Sequence, residues 1–198
     1  MTAAMLAAGF ADPVHDAQQV FRAVMMGLAE PGRLQTIDRL PEAPRPLSGA
    51  AAAAALALAD HETALWLDGP LAASADVAAY LRFHTGAKLV TDPAEAAFAL
   101  IAEPARLLPL ERFAQGSAEY PDRSTTLILQ LTAFGTGPSF TLSGPGIAGT
   151  TRFAAEPLPA DFALRLARNR VLFPCGVDLV LTAGSEVVGL PRTTRLSQ

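Results

Sequence analysis

Stretches with helical periodicity alternate with stretches of strand character along most of the 198-residue chain, and this alternation constrains the fold more than any other feature. The first predicted helix has Asp12 as its N-cap and Pro13 in its first turn, and it ends at Glu30-Pro31-Gly32. The other predicted helices cover residues 48–60, 74–82 and 161–171, with a proline-interrupted helical piece at 107–113. The predicted strands cover residues 63–67, 88–90, 96–101, 125–131, 139–142, 177–182 and 186–190.

The order of these elements predicts the architecture. The early helices and strands alternate as in parallel crossovers, whereas the last two strands reverse direction through residues 183–185. We therefore expect an α/β fold, a three-layer αβα sandwich with a mixed sheet, in a single domain over residues 1–198 with a flexible N-terminus at 1–9. The first helix is expected to turn one apolar face to the core, formed by Val14, Phe21, Val24, Met25 and Leu28.

Composition leaves two interpretations of the apolar content. The chain is 51% hydrophobic and 17% charged, which allows one sizeable core. The excess is either an alanine-rich interior or an exposed patch that a partner covers. We expect a symmetric homodimer when the chain is alone, because two-fold pairing is the commonest way to cover such a patch.

Charge, cysteine content and hydropathy exclude several classes of protein. A net charge of −4 argues against nucleic acid as a partner, since nonspecific binding to phosphates needs clustered basic residues. Cys175 is the only cysteine, so no internal disulfide can form, and a cytoplasmic location is predicted. The longest uncharged apolar run, 49–59, is about half the roughly 20 residues that span a bilayer, so no membrane partner is expected.

Catalytic and metal-binding patterns are weak in this sequence. His15, His61 and His84 lie on separate segments without metal-ligand spacing. His84 ends a predicted helix, where it either caps the helix dipole or contacts a ligand or partner. Cys175 has no histidine near it in sequence and is expected to fill space at a strand entry. No catalytic residue and no metal site is predicted.

Two late segments are candidates for an anion or a partner's carboxylate. The loop at 143–146 has glycines that permit an anion-binding backbone, although Pro145 removes one N–H donor and a tight turn is the default interpretation. Arg192 and Arg195 flank two threonines, and a planar guanidinium suits a phosphate, a phosphonate or a carboxylate, while a solvated tail is the alternative. The predicted ligand- or partner-binding residues are Arg82, His84, Ser143, Gly144, Gly146, Arg192, Thr193 and Thr194.

Several short segments, unremarkable singly, occur in one order along nearly the whole chain. They are Asp16-Ala17-Gln18, Phe21-Arg22, Glu30-Pro31-Gly32, the hexapeptide at 81–86, Thr-Leu-Ile-Leu-Gln at 126–130, the loop at 142–147, Phe-Pro-Cys-Gly at 173–176 with the strand entry to 179, and Pro-Arg-Thr-Thr at 191–194. Together they resemble the PhnH subunit of the bacterial carbon–phosphorus lyase system. The resemblance runs from about Phe10 to Arg195.

This resemblance implies a fold similar to the large domain of pyridoxal-phosphate-dependent aminotransferases, but without the cofactor. Those enzymes need a Schiff-base lysine, and Lys88 is the only lysine in the chain. The family's pattern does not demand lysine at that position, so no cofactor is expected on this chain.

The resemblance also implies an accessory subunit in organic phosphonate catabolism, with PhnG-, PhnI- and PhnJ-like partners. The complex would transfer a ribose triphosphate from ATP to an alkylphosphonate before carbon–phosphorus cleavage, with ATP and phosphonate as its substrates. The radical cleavage step calls for an iron–sulfur cluster, which one cysteine cannot hold. The alternatives are a free-standing transferase or hydrolase acting on a phosphorylated substrate near the 143–146 loop, or a homodimeric scaffold without ligand.

Overall fold

The computed structural model describes residues 7–197, which contain both helices and strands. The helices are α1 (Pro13–Ala29), α2 (Gly49–Leu58), α3 (Gly69–Ala72), α4 (Ala75–Thr85) and α5 (Phe162–Val171). The strands are β1 (Gln35–Thr36), β2 (Ala64–Leu67), β3 (Lys88–Val90), β4 (Phe98–Ile101), β5 (Thr126–Gln130), β6 (Ala133–Ser143), β7 (Thr151–Glu156), β8 (Asp178–Ala183), β9 (Glu186–Leu190) and β10 (Arg195–Ser197).

The central sheet is mixed, which confirms the α/β class. Its seven strands lie in the order β1-β9-β8-β5-β4-β2-β3. Strands β3, β2, β4, β5 and β8 are parallel to one another, and β9 pairs antiparallel with β8 through the predicted hairpin. The central strands β5 and β8 are almost wholly buried, as expected for parallel strands covered on both faces.

The two faces of this sheet are covered differently. On one face, α1, α2 and α4 pack over a core in which the alanines 50–55 of α2 are all buried, because side chains this small let the helix sit close to its neighbours. On the other face, α5 packs beside β6 and β7. Strands β10, β6 and β7 form a second, three-stranded antiparallel sheet. The third layer therefore combines a helix with a sheet, where the sequence predicts helices alone.

Helix α1 buries a different face from the one predicted. Its buried residues are Asp16, Val20, Ala23, Val24 and Gly27. The reason is a close helix–strand contact, since a Cβ added to Gly189 of β9 would lie 2.5 Å from the backbone nitrogen of Leu28. Small residues such as Ala23 and Gly27 occupy the buried side of α1 because they allow this close approach to the strand. Of the predicted face only Val24 is buried, whereas Val14, Phe21 and Met25 are exposed and Leu28 is half-buried.

Other local predictions differ from the structure at proline and at the C-terminus. The segment 107–113 contains a single 3-10 turn at Leu110–Arg112 after Pro109, not a longer helix. The segment predicted as a basic tail forms β10 instead. Of the N-terminal segment predicted to be flexible, residues 1–6 lie outside the described part. Within residues 7–197, no helix has both the length and the apolar character to cross a bilayer.

Candidate functional site

The late segments singled out in the sequence meet in space. In the pairing of β10 with β6, Arg195 lies opposite Ser143. A Cβ on Gly144 would lie 3.2 Å from the carbonyl oxygen of Thr193, so the two backbones are in close contact. Thr194 is buried, and its backbone N–H donates to the carbonyl of Pro191 over 2.9 Å. The structure thus brings the 143–146 loop and the 191–195 segment together.

The glycines of the 143–146 loop serve packing and turn geometry. Gly146 has a φ of +81°, and a Cβ there would lie 2.1 Å from the carbonyl oxygen of Ala29 at the end of α1. The N–H of Ile147 donates to the carbonyl of Gly144 over 3.1 Å, which closes a tight turn. Two separate stretches of the family-like pattern, Glu30-Pro31-Gly32 and this loop, therefore lie against each other.

Arg192 is turned inward and uses all five of its guanidinium N–H groups within the chain. Nε donates to Asp178 Oδ1 over 3.1 Å, and Nη2 donates to Asp178 Oδ2 over 2.5 Å. Nη2 also donates to Ser124 Oγ over 2.6 Å, while Nη1 donates to the carbonyls of Pro121 and Pro174 over 3.1 and 3.0 Å. A guanidinium has five N–H donors in a fixed fork, so none remains for a ligand.

This arrangement makes Arg192 a positioning residue. Its side chain is 12% exposed and that of Asp178 is 23% exposed, so the ion pair is largely shielded from water. The backbone N–H of Arg192 donates to the same Asp178 oxygen over 2.7 Å. The network ties the segment after β9 to the start of β8 and to the loop at Pro174. We refer to Arg192, Asp178 and Ser124 as the Arg192 network.

Asn169 of α5 fixes the same loop from the other side. Its Nδ2 donates to the carbonyl of Val177 over 2.9 Å, and its Oδ1 accepts the N–H of Val177 over 2.8 Å. The buried side-chain amide thus pairs with both backbone polar groups of Val177, just before β8 begins. Gly176 has a φ of +111° and a Cβ there would lie 2.8 Å from Asn169 Oδ1, so only glycine fits.

An exposed apolar and basic surface lies directly outside these anchors. Val171 is 80% exposed, Phe173 is 63% exposed, and Leu172 between them is also exposed. Beside Phe173, a cavity of about 280 Å³ is lined by Pro145, Arg170, Phe173, Thr193 and Arg195. We call Arg170, Val171, Leu172, Phe173 and Arg195 the Phe173 face. Neither arginine of this face forms an ion pair within residues 7–197.

The predicted residues on α4 lie elsewhere. His84 Nε2 donates to the carbonyl of Ala7 over 3.0 Å, and the hydroxyl of Tyr80 donates to the carbonyl of Ala8 over 3.4 Å. Burial raises the pKa of Tyr80 to about 12. These contacts fix the described start of the chain against the helical layer. Arg82 is exposed on the same helix, so Arg82 and His84 do not join the late segments.

Sequence reasoning identified Arg195 of the Phe173 face as a candidate and Phe173 as part of the family-like pattern, but it missed Arg170, Val171 and Leu172. The available signal was the apolar run Val-Leu-Phe at 171–173, which follows a helix whose buried residues are Phe162, Leu166 and Asn169. These three buried residues already fill the core-facing side of α5, so Val171, Leu172 and Phe173 remain at the surface. Among residues 7–197, no three His, Cys, Asp or Glu side chains come together as a metal site would require.

The chain is thus a mixed-sheet α/β domain that exposes an apolar and basic face beside buried polar anchors. The family whose model matches residues 8–197 is described as the bacterial phosphonate metabolism protein PhnH. The chain belongs to this family.

Two relatives carry informative names. The subunit PhnH of alpha-D-ribose 1-methylphosphonate 5-triphosphate synthase from Rhizobium meliloti (strain 1021) is 41% identical over 189 residues, covering 96% of this chain and 94% of the relative. A putative C-P lyase subunit protein, HtxG from Stutzerimonas stutzeri, is 35% identical over 82 residues, covering 41% of this chain and 42% of the relative. Both are named as subunits.

Proposed function

We propose that this chain is an accessory subunit in organic phosphonate catabolism. It supports the transfer of a ribose triphosphate from ATP to an alkylphosphonate, ahead of carbon–phosphorus bond cleavage by the same core complex. The observation that carries this proposal is the 41% identity, over nearly the whole of both chains, to a subunit of a ribose methylphosphonate triphosphate synthase. The transferase and lyase chemistry is assigned to the complex and not to this chain.

The Phe173 face is the proposed docking surface for a partner subunit. An exposed Phe and Val, with two arginines that form no ion pair among residues 7–197, suit an apolar patch bordered by carboxylates, because aromatic anchors and Arg dominate interface energies. The partners we propose are PhnG-, PhnI- and PhnJ-like subunits. Anchoring by the Arg192 network supports this role, since a docking surface held rigid loses less entropy on binding.

A symmetric homodimer is proposed for the chain without its partners. Val14, Phe21 and Met25 follow one another at helical spacing along the outer side of α1 and remain exposed. This stripe and the Phe173 face are apolar surfaces that self-association would cover. Light scattering at micromolar concentration should give the dimer mass, and a monomer mass alone would count against it.

We also propose that the chain is cytoplasmic and that its fold is related to the aminotransferase large domain. A further proposal is that it binds no pyridoxal phosphate. Lys88 begins β3, the edge strand of the sheet, and its side chain is exposed. A Schiff-base lysine needs an enclosed pocket that also holds the phosphate and the pyridine ring. An aldimine absorbance band that disappears in Lys88→Ala would overturn this part of the proposal.

Growth tests the proposed function most simply. A phosphonate-using bacterium whose own copy of this gene is deleted should fail to grow on methylphosphonate as sole phosphorus source and recover when this chain is supplied. Growth on inorganic phosphate is the control. A tagged chain should also co-purify the untagged partner subunits. Unimpaired growth of the deletion strain on methylphosphonate would contradict the proposal and favour a free-standing enzyme.

A further inference from the structure

A second cavity lies at the carboxyl ends of β2 and β4, away from the Phe173 face. Its volume is about 220 Å³, and it is lined by Trp66 of β2, Ile101 of β4 and the two segments that follow these strands. Asp68, Gly69 and Pro70 belong to the first segment, and residues 103–108 contribute most of the second. The family-like pattern of the sequence does not include either segment.

The topology of the sheet places this cavity where two connections between strands diverge. From β2 the chain passes through α3 and α4, on the helical face, to the edge strand β3. It then returns to the other side of β2 to form β4, and the connection from β4 to β5 packs on the opposite face. The two connections thus diverge to opposite faces between β2 and β4. In open α/β sheets, ligands bind in the crevice outside the carboxyl ends of strands at such a switch point.

Asp68 holds the crevice in a fixed shape. Its Oδ2 accepts the backbone N–H groups of Ala102 and Glu103 over 2.7 and 2.9 Å, and its Oδ1 accepts the N–H of Leu71 over 3.4 Å. One carboxylate therefore links the ends of β2 and β4. Burial raises the pKa of Asp68, with the nearby Glu103 adding to the effect, while its backbone hydrogen bonds oppose it.

The lining favours a flat ring with polar edges. Trp66 is held by a hydrogen bond from Nε1 to the carbonyl of Thr91 over 3.2 Å and by edge contact with Phe113 at 5.6 Å between ring centroids. Ile101, Leu107 and Leu108 add apolar walls. Glu103 accepts one hydrogen bond from Arg106 Nη1 over 3.2 Å, and a carboxylate has further acceptor positions, so a ring that bears N–H donors fits better than an acidic one.

We propose that this cavity binds the base of a purine nucleoside or nucleotide, with Trp66 as its stacking platform. Sites that enclose a whole drug-sized ligand measure about 300–1,000 Å³, so a cavity of about 220 Å³ holds one ring system and leaves the sugar at the rim beside Arg106. The inference goes beyond the proposed function. A subunit that assembles normally without binding purines would refute the cavity proposal and leave the subunit role intact.

The chain carries its own reporter for this test, because Trp66 is its only tryptophan. Adenosine should quench the fluorescence of the purified full-length chain in a saturable manner, whereas ribose 5-phosphate, which has no base, should not. Excitation at the red edge of the indole band avoids absorption by the purine. Free N-acetyltryptophanamide measures collisional quenching, and calorimetry supplies an affinity that does not depend on fluorescence.

Substitutions then locate the binding. Trp66→Leu should weaken adenosine binding in calorimetry by about 5- to 150-fold, as expected from losing one base–aromatic stack. Leu108→Ser, at a half-buried wall position, should weaken it in the same direction with little change in melting temperature. Glu111→Gln, exposed and outside the cavity lining, is the matched control. Absence of saturable heat with adenosine, equal binding of ribose 5-phosphate, or full affinity in both cavity variants would each overturn the proposal.

Discussion

The Arg192 network and the Phe173 face are neighbours built from the same late segments, yet they treat their polar groups in opposite ways. Arg192 donates every guanidinium N–H to a partner within the chain. Arg170 and Arg195 border exposed apolar side chains and form no ion pair within residues 7–197. The same residue type thus serves internal anchoring in one region and offers free donors in the other.

The comparison shows that one sequence pattern can contain buried residues that hold a surface in place as well as residues that are exposed on that surface. A buried, fully hydrogen-bonded charge is expected to matter for stability, because removing one partner leaves the other charge uncompensated. An exposed apolar side chain contributes little to folding and can contribute strongly to association. Substitutions in the two regions should therefore separate stability from assembly.

The largest effect on stability is expected for Arg192→Ala. This substitution leaves the largely shielded Asp178 without its cation, and we expect the free energy of unfolding to fall by about 3–5 kcal/mol. Denaturant titration of the isolated chain measures it. Arg168→Ala, an exposed arginine on α5, is the matched control and should stay within about 0.5 kcal/mol of wild type. An unchanged midpoint for Arg192→Ala would return this residue to the ligand or partner role that the sequence predicts.

Asn169→Ala tests the second anchor of the same loop. The substitution leaves the N–H and carbonyl of Val177 without their partners at a buried position, so we expect a loss of about 1–3 kcal/mol. Thermal unfolding followed by circular dichroism provides the readout. If Asn169→Ala melts like wild type, the amide is not what fixes the entry to β8.

The sequence predicts those features of the fold that local residue types determine, and it fails for those that packing between distant segments determines. Caps such as Asp12 and Ser48, and the αL glycine Gly86, carry their geometry in the residue type, so the ends of the helices they cap could be predicted. The buried stripe of α1 could not, because it depends on Gly189 of a strand far along the chain. Strands β7 and β10 were missed for a related reason, since pairing with β6 defines them.

The candidate site follows the same division. Residue types indicated that the 143–146 loop and the 191–195 segment mattered, and the structure brings them together. The direction in which Arg192 points could not be read from sequence, because its partners lie 14 to 71 positions away along the chain. Phe173 belongs to the family-like pattern, whereas residues 170–172 gave only the weak signal of an apolar run at the end of a helix.

Asp68 adds a third region to this comparison, because it is buried with backbone partners and forms no ion pair with any of residues 7–197. Since desolvation raises its pKa in the folded state, the native protein holds the proton more tightly than the unfolded chain. The free energy of unfolding of wild type relative to Asp68→Asn should therefore fall as the pH rises from about 4 through the raised pKa. Denaturant titrations of both proteins across this range measure the trend. A difference that grows with pH would contradict the assigned direction.

The smallest effect on stability and the largest on assembly are expected at Phe173, and one measurement there tests the docking account most directly. Tagged Phe173→Glu and wild type are co-expressed with the partner subunits, purified and compared by the amount of partner recovered, alongside melts of the isolated chains. Because Phe173 is 63% exposed, the melt should be nearly unchanged, while a carboxylate at the centre of an apolar and basic face should greatly reduce partner recovery. Full recovery of the partners with Phe173→Glu would contradict the account.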